Sequence, residues 1–300
     1  MGISVNVNGR IAISLMNSLI PMVDPRVFRR LFTEIVQASK GDLDLASASL
    51  YIAGEEYPTL PVEKYLAYLN STAEVTRRAI PKTATATEQL TALSKHLAKI
   101  EGFHGSAEEK PDPKTVYLNE VIDRKIGLPI SLSILYKEVA ARNGIFLEGI
   151  GLPGRFILKY ANSPEDIFVD PANDGAVISR ADCEELVRNM YQGQVVFREE
   201  FLHPYNEKQI LVRLLTTLKV SYFESREYAK SLAATDRIAI IDPTLNVNIR
   251  ERARLLSLMG RYRDAIRGLE LYLTMFPDSD DKEEIKTQIH SLWPLVASLS

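Results

Sequence analysis

The last third of the chain repeats at a fixed interval, and this restricts its fold more than any other feature. Tyr228 and Tyr262 stand 34 residues apart, Pro243 and Pro277 keep the same interval, and Leu232 and Ile266 fall in register between them. A 34-residue period is that of stacked helix pairs, each burying its apolar face only against a neighbour. In each unit a first helix is expected to end near Ser225-Arg226 or Gly260-Arg261, a second to begin at the tyrosine, and proline to mark the exit. Two units leave one face open. A terminal helix from Asp280 to about Val296 is expected to cover it through Ile285, Ile289, Leu292 and Trp293. A generic bundle of helical hairpins is the competing reading of the same spacing.

The other end of the chain reads differently. Ile3, Val5 and Val7 alternate with polar residues, and Asn8-Gly9 then precedes Ile11, Ile13 and Leu15, the spacing of a β-hairpin. From Asp24-Pro25 the period becomes helical through Val27, Phe28, Leu31, Phe32, Ile35 and Val36, with Gly41 as the stop. A second helix is expected from Leu43 to about Ala53. A third, after Pro58 and Pro61, carries Tyr65, Leu66, Leu69 and Val75 and ends at Pro81. Residues 87–100 read as one amphipathic helix with Leu90, Leu93, Leu97 and Ile100 on a single face.

A loop follows, built on Gly102, Gly105, Pro111, Asp112 and Pro113, then a short helix around Leu118 to Ile122. After Gly127-Leu128-Pro129 a buried helix is expected from Ile130 to Arg142, closed by Asn143-Gly144. Three strands come next, Phe146 to Ile150, Phe156 to Tyr160 and Ile167 to Val169, separated by Pro153-Gly154 and Asn162-Ser163-Pro164. The expected class is α+β: a mainly helical N-terminal part, a core with a small antiparallel sheet, and an all-α tail. The expected divisions are 1–40, 41–200 and 201–300.

Composition removes several functional classes. With 46% hydrophobic and 25% charged residues, the chain can bury a sizeable core without staples. Its only cysteine, Cys183, rules out an internal disulfide and suits a reducing compartment, so the cytoplasm is the expected location. A formal net charge of -3 lacks the basic footprint of a nucleic-acid binder, and no apolar run is long enough to suggest a membrane span. The interrupted apolar positions of the first twenty residues do not make a secretion signal. Neither clustered histidines nor a CxxC pair suggests a metal, and no Gly-rich phosphate loop suggests a nucleotide; no cofactor is expected.

Two stretches carry a family likeness. Ile52-Ala53-Gly54-Glu55-Glu56-Tyr57-Pro58, followed by Tyr117-Leu118-Asn119-Glu120-Val121-Ile122 and Gly127-Leu128-Pro129-Ile130-Ser131-Leu132, resemble the SirB-type transglutaminase-like proteins of bacteria. Leu152-Pro153-Gly154-Arg155-Phe156 and Val169-Asp170-Pro171 continue the resemblance, which spans roughly Gly41 to Arg180. Such proteins often carry tetratricopeptide repeats after the core, and the 34-residue period here is of that kind. The resemblance implies a transglutaminase-like, papain-like core.

That plan places a cysteine at the start of a buried helix, a histidine on the next strand and an aspartate on the one after, so that a thiolate, its base and the base's orienting acid meet. Here the helix start is Pro129-Ile130-Ser131, with no thiol, and the histidine position is Arg155. An arginine remains protonated to above about pH 12 and cannot serve as a general base. Only Asp170 matches the triad. Ser131 or Ser133 offers an oxygen nucleophile that lacks a base, and His104, in the loop before the core, is the best placed substitute imidazole. His96 is expected at a surface or groove, His203 in the linker and His290 in the tail. Cys183, flanked by acids, is expected to be inert.

Arg155 and Asp170 are expected to face each other from neighbouring strands, as an ion pair filling the former active site or as a fork offered to a ligand's carboxylate or phosphate. The favoured function is a non-catalytic scaffold that holds a protein or peptide through its repeats, with no catalytic residue. The alternatives are an amide or ester hydrolase using Ser131 with His104, and a module that oligomerises through the N-terminal hairpin.

Overall fold

The computed structural model describes residues 22–39, 41, 43–107, 112–161 and 165–298. The expected N-terminal hairpin and the expected turn at 162–164 lie outside them. Helix α1 (Pro25–Ala38) starts where Asp24 accepts a hydrogen bond from the Arg26 N–H and Pro25 takes the first turn. It buries Phe28, Phe32 and Val36 against α2 (Leu45–Glu56), which starts two residues later than expected because Asp44 caps it through the Ser47 N–H. Residues Leu45 to Leu50 and Ile52 to Gly54 of α2 are all buried, so this helix is a central post. Gly54 is required at the crossing: a Cβ there would stand 2.4 Å from the Phe28 ring.

Helix α3 (Val62–Ala79) follows, then α4 (Ala86–Ser94), opened by a reciprocal Thr85/Glu88 capping box. The expected single helix to Ile100 continues instead as a π-helical turn, Lys95–Ile100, with the Glu101 N–H donating to the His96 carbonyl. The wider turn rotates every later side chain out of the α register. Leu90, Leu93 and Leu97 are buried as expected, but Ile100 is exposed and His96, expected at a surface or groove, is buried.

A two-residue strand β1 (His104–Gly105) precedes α5 (Leu118–Arg124) and pairs in parallel with β2 (Ile126–Gly127). Helix α6 (Pro129–Ala141) begins with proline at its first position and is followed by Gly144 at φ 74°, with the Ile145 N–H donating to the Ala140 carbonyl. Strands β3 (Leu147–Leu152), β4 (Arg155–Tyr160), β5 (Ile167–Asp170) and β6 (Ala176–Ser179) form an antiparallel meander ahead of α7 (Arg180–Met190). A further strand, β7 (Pro204–Tyr205), pairs with β3, giving the order β6-β5-β4-β3-β7. The three expected strands are thus the middle of a five-stranded sheet; the two extra ones are too short to show a period.

The tail comprises α8 (Glu207–Glu224), α9 (Tyr228–Ile241), α10 (Asn246–Leu258), α11 (Tyr262–Met275) and α12 (Lys282–Ser298). Helix breaks fall where the 34-residue period puts them. Leu232 and Ile266, in register in the sequence, are buried in one cluster with Leu256, Leu269, Ile285 and Leu292. Along α12 the buried stripe runs through Ile285, Leu292 and Val296; Trp293, expected inside, is 52% exposed, because one residue past Leu292 turns about 100° around an α-helix. The larger core does not stop at the sheet. It joins Phe32, Leu50, Leu135 and Leu158 to Ile210, Leu214, Tyr222 and Ile238 of α8 and α9.

Candidate functional site

The Pro153-Gly154 turn, with Gly154 at φ 73°, pairs Leu152 with Arg155 and starts β4. Pairing of Leu158 with Val169 and of Lys159 with Phe168 puts Asp170 opposite Ile157, on the same face as Arg155. The guanidinium reaches that neighbour: Arg155 Nη2 lies 2.7 Å and Nε 3.0 Å from Asp170 Oδ2. Asp170 is wholly buried and accepts a further bond from the Ala172 N–H at 3.2 Å. Every acceptor direction that would orient a histidine is therefore directed to a permanent cation and a backbone amide.

Ser131 is elsewhere in hydrogen-bonding terms. Its buried hydroxyl donates to the Val116 carbonyl at 2.8 Å, and Ser133 donates to the Phe156 carbonyl at 3.4 Å. His104 is exposed, with Nδ1 2.9 Å from the Gly102 carbonyl. The hydroxyls of Ser131 and Ser133 are thus directed to carbonyl groups and not to an imidazole. Cys183 is buried among Ile150, Leu152, Ile157, Phe168 and Val187; burial first, and then Asp182, Asp170 and Asp166, push its thiol up to about 12. Gly149 and Gly151 lie inside β3, where a Cβ would collide with the Phe156 and Tyr205 rings, so their purpose is ring packing.

Among the described residues, Ser94 Oγ, His96 Nε2 and Tyr136 Oη are buried without a hydrogen-bond partner. Gly175, at φ 68°, leaves room for two of them: a Cβ there would stand 2.7 Å from Ser94 Oγ and 2.8 Å from Tyr136 Oη. Burial first, then the charges of Asp174 and Asp170, raise the Tyr136 hydroxyl above its usual range, so it is a fixed neutral donor. Sequence reasoning passed over Ser94 and Tyr136 because serine and tyrosine on apolar helix faces carry no motif. Among the described residues no group of three or more His, Cys, Asp or Glu side chains is placed to hold a metal.

The acidic pair of the Gly54-Glu55-Glu56-Tyr57-Pro58 stretch lies at the seam between core and tail. Glu55 binds Arg29 Nε at 2.6 Å and Arg237 Nη2 of α9 at 2.7 Å, and Glu56 binds Lys230 of α9 at 2.7 Å. Beside them Tyr57 meets Tyr117 edge-on, and the Tyr117 and Tyr222 hydroxyls stand 2.8 Å apart. These carboxylates cross-link core and tail. The signal was present as two acids ending an otherwise apolar helix, but their partners in the tail lie 174 and 182 residues away.

In the tail, the first helices of successive pairs line a trough. One hollow of about 850 Å³ runs between α10 and α12, along Val247, Arg250, Arg254, Glu284 and Gln288. A second, of about 260 Å³, continues between α8 and α10 along Val220, Phe223, Glu224 and Arg254. No helix among the described residues is long and apolar enough to cross a membrane.

Comparison with known proteins agrees with this architecture. The family profile described as "Transglutaminase-like superfamily" matches residues 63–216, and that described as "Tetratricopeptide repeat" matches residues 218–290. A "UPF0162 protein" of Xylella fastidiosa (strain 9a5c) is 28% identical over 265 residues, covering 87% of this chain and 94% of its own. A Pseudomonas aeruginosa "UPF0162 protein" is 25% identical, covering 83% and 91%. Among solved structures, a crystal structure of menin covers 91% of this chain and 76% of that chain at 12% identity and a TM-score of 0.41. From the sheet and helix order, the ordered motifs and a profile match over half its length, the chain belongs to the transglutaminase-like superfamily, in its SirB-type form with tetratricopeptide repeats after the core.

Proposed function

We propose that this protein is a non-catalytic member of its superfamily that holds a protein or peptide partner along the trough of α8, α10 and α12. The observation that carries the reading is the Arg155–Asp170 pair at 2.7 Å, in which a group that cannot accept a proton at neutral pH stands where the resemblance implies a base. The Ser131 hydroxyl donates to a backbone carbonyl and is not hydrogen-bonded to an imidazole among the described residues. The tail meanwhile offers an open surface built from repeats, a form suited to holding an extended chain. With one buried thiol and no membrane-spanning helix among the described residues, a cytoplasmic setting fits the chemistry.

Affinity capture with the full chain and with a Val220→Glu/Val247→Glu variant tests the reading. A partner held by the first and lost by the second is the expected result. Turnover of a p-nitrophenyl ester or anilide by the full chain, abolished in Ser131→Ala, would replace it with the hydrolase reading. Removal of the whole tail is a poor control, because α8 and α9 belong to the main core.

A further inference from the structure

Building on that reading, we propose that the trough selects an extended peptide carrying a single acidic side chain, which docks on Arg254 beside small apolar residues. Arg254 lines both hollows, so any chain running from one to the other passes it. The other cations there are matched within the protein: Lys219 pairs with Glu251, and Arg250 stands 2.5 Å from Asp281 and 3.6 Å from Glu284. Arg254 forms no ion pair with a carboxylate among the described residues. Its guanidinium lies 4.9 Å from the centroid of the Phe223 ring.

A guanidinium held at an aromatic face is oriented without losing its edge N–H donors, and those donors match the two oxygens of a carboxylate. The surroundings restrict what carries that carboxylate. Exposed Val220 and Val247 lie to either side, which suits apolar side chains flanking the acid. Glu224 shares the smaller hollow and repels a second acid, so a run of acids is disfavoured. On the α12 wall the Gln288 amide supplies donors and an acceptor for an extended backbone, and the Thr287 and Ser291 hydroxyls, which donate to the Glu283 and Gln288 carbonyls, supply acceptors. The chain's own first 21 residues contain no Asp or Glu, so they lack the group that Arg254 would bind.

The test uses the purified full chain and two phage-displayed random decapeptide libraries, one with Glu fixed at a central position and one with Gln. Enrichment of the Glu library on the order of ten-fold over the Gln library is expected, the scale of one charge-assisted bidentate contact. The ratio should fall to near one on Arg254→Met, which keeps the apolar stem over Phe223, and to an intermediate value on Arg254→Lys. A ratio near one on the unaltered chain, or one that survives Arg254→Met, overturns the acidic specificity while leaving the trough as a binding surface. No enrichment of either library over bare support overturns both this inference and the scaffold reading. Displacement of the enriched phage by a synthetic peptide of residues 1–21 would assign the trough to the chain's own N-terminus and overturn the proposal.

Discussion

The seam between core and tail gives the sharpest quantitative expectation. Replacing Glu55 by Gln keeps the shape of the side chain and one acceptor but removes the charge shared by Arg29 and Arg237. Arg237 is 5% exposed, and burial draws its guanidinium below its usual range against the opposing pull of Glu55. Without that carboxylate a desolvated cation is left unpaired, a change that costs roughly 3–5 kcal/mol when the partner is removed outright. Arg29 retains contact with water and adds no more than about 1 kcal/mol. The residual amide acceptor puts Glu55→Gln near the lower end, about 3 kcal/mol, or roughly 5 °C in melting temperature for a chain of 300 residues. Urea unfolding followed by far-ultraviolet circular dichroism measures the whole chain, and the fluorescence of its single tryptophan, Trp293, reports the last helix. The reasoning also requires that Glu55→Leu with Arg237→Leu recover part of the loss, because neither charge then remains buried. A loss below about 1 kcal/mol, or a Glu55–Arg237 coupling under about 0.5 kcal/mol in a double-mutant cycle, would refute it.

Two further expectations concern the sheet and the helix α7 that follows it. Arg155→Met should cost roughly 3 kcal/mol or more in the same urea titration, since it leaves wholly buried Asp170 without its cation, and should leave peptide binding in the tail unchanged. A ligand-binding role for Arg155 would show the reverse. Cys183, its thiol pushed up to about 12, should resist Ellman's reagent at pH 8 in the native chain and react at once in guanidinium. The sign of the linkage follows: the folded pKa is raised, so the stability tied to this thiol is complete below the unfolded value of about 8.5 and is lost as pH rises toward 12. Cys183→Ala should flatten the first part of that alkaline decline.

The candidate site was legible where a local rule applied. Pro153-Gly154 announced the hairpin that brings Arg155 to the start of β4, and a twofold side-chain alternation brought Asp170 to the same face. The buried hydroxyls of Ser94 and Tyr136 were not legible, because their environment is made by Gly175, distant in sequence and notable only through its backbone angle. The π-turn at Lys95–Ile100 was also hidden: Leu90, Leu93 and Leu97 fit an α period up to the point where the turn widens. Arg254 looked like any other surface arginine until α8, which carries Phe223, was seen against α10.

What this sequence settles by itself is therefore periodic or stereochemical: the 34-residue helix pairs, the capped helices, the proline and glycine breaks, and the presence of a permanent cation at residue 155. Each depends on residues close together in the chain or on the chemistry of one side chain. The tertiary structure decided that Glu55 cross-links core and tail, that the first repeat shares the main core, and that Arg254 alone among the trough's cations forms no ion pair with a carboxylate among the described residues. Those facts depend on which distant groups are brought within a few ångströms and shielded from water, and hydrophobic burial, being non-directional, leaves no local mark of them in the sequence.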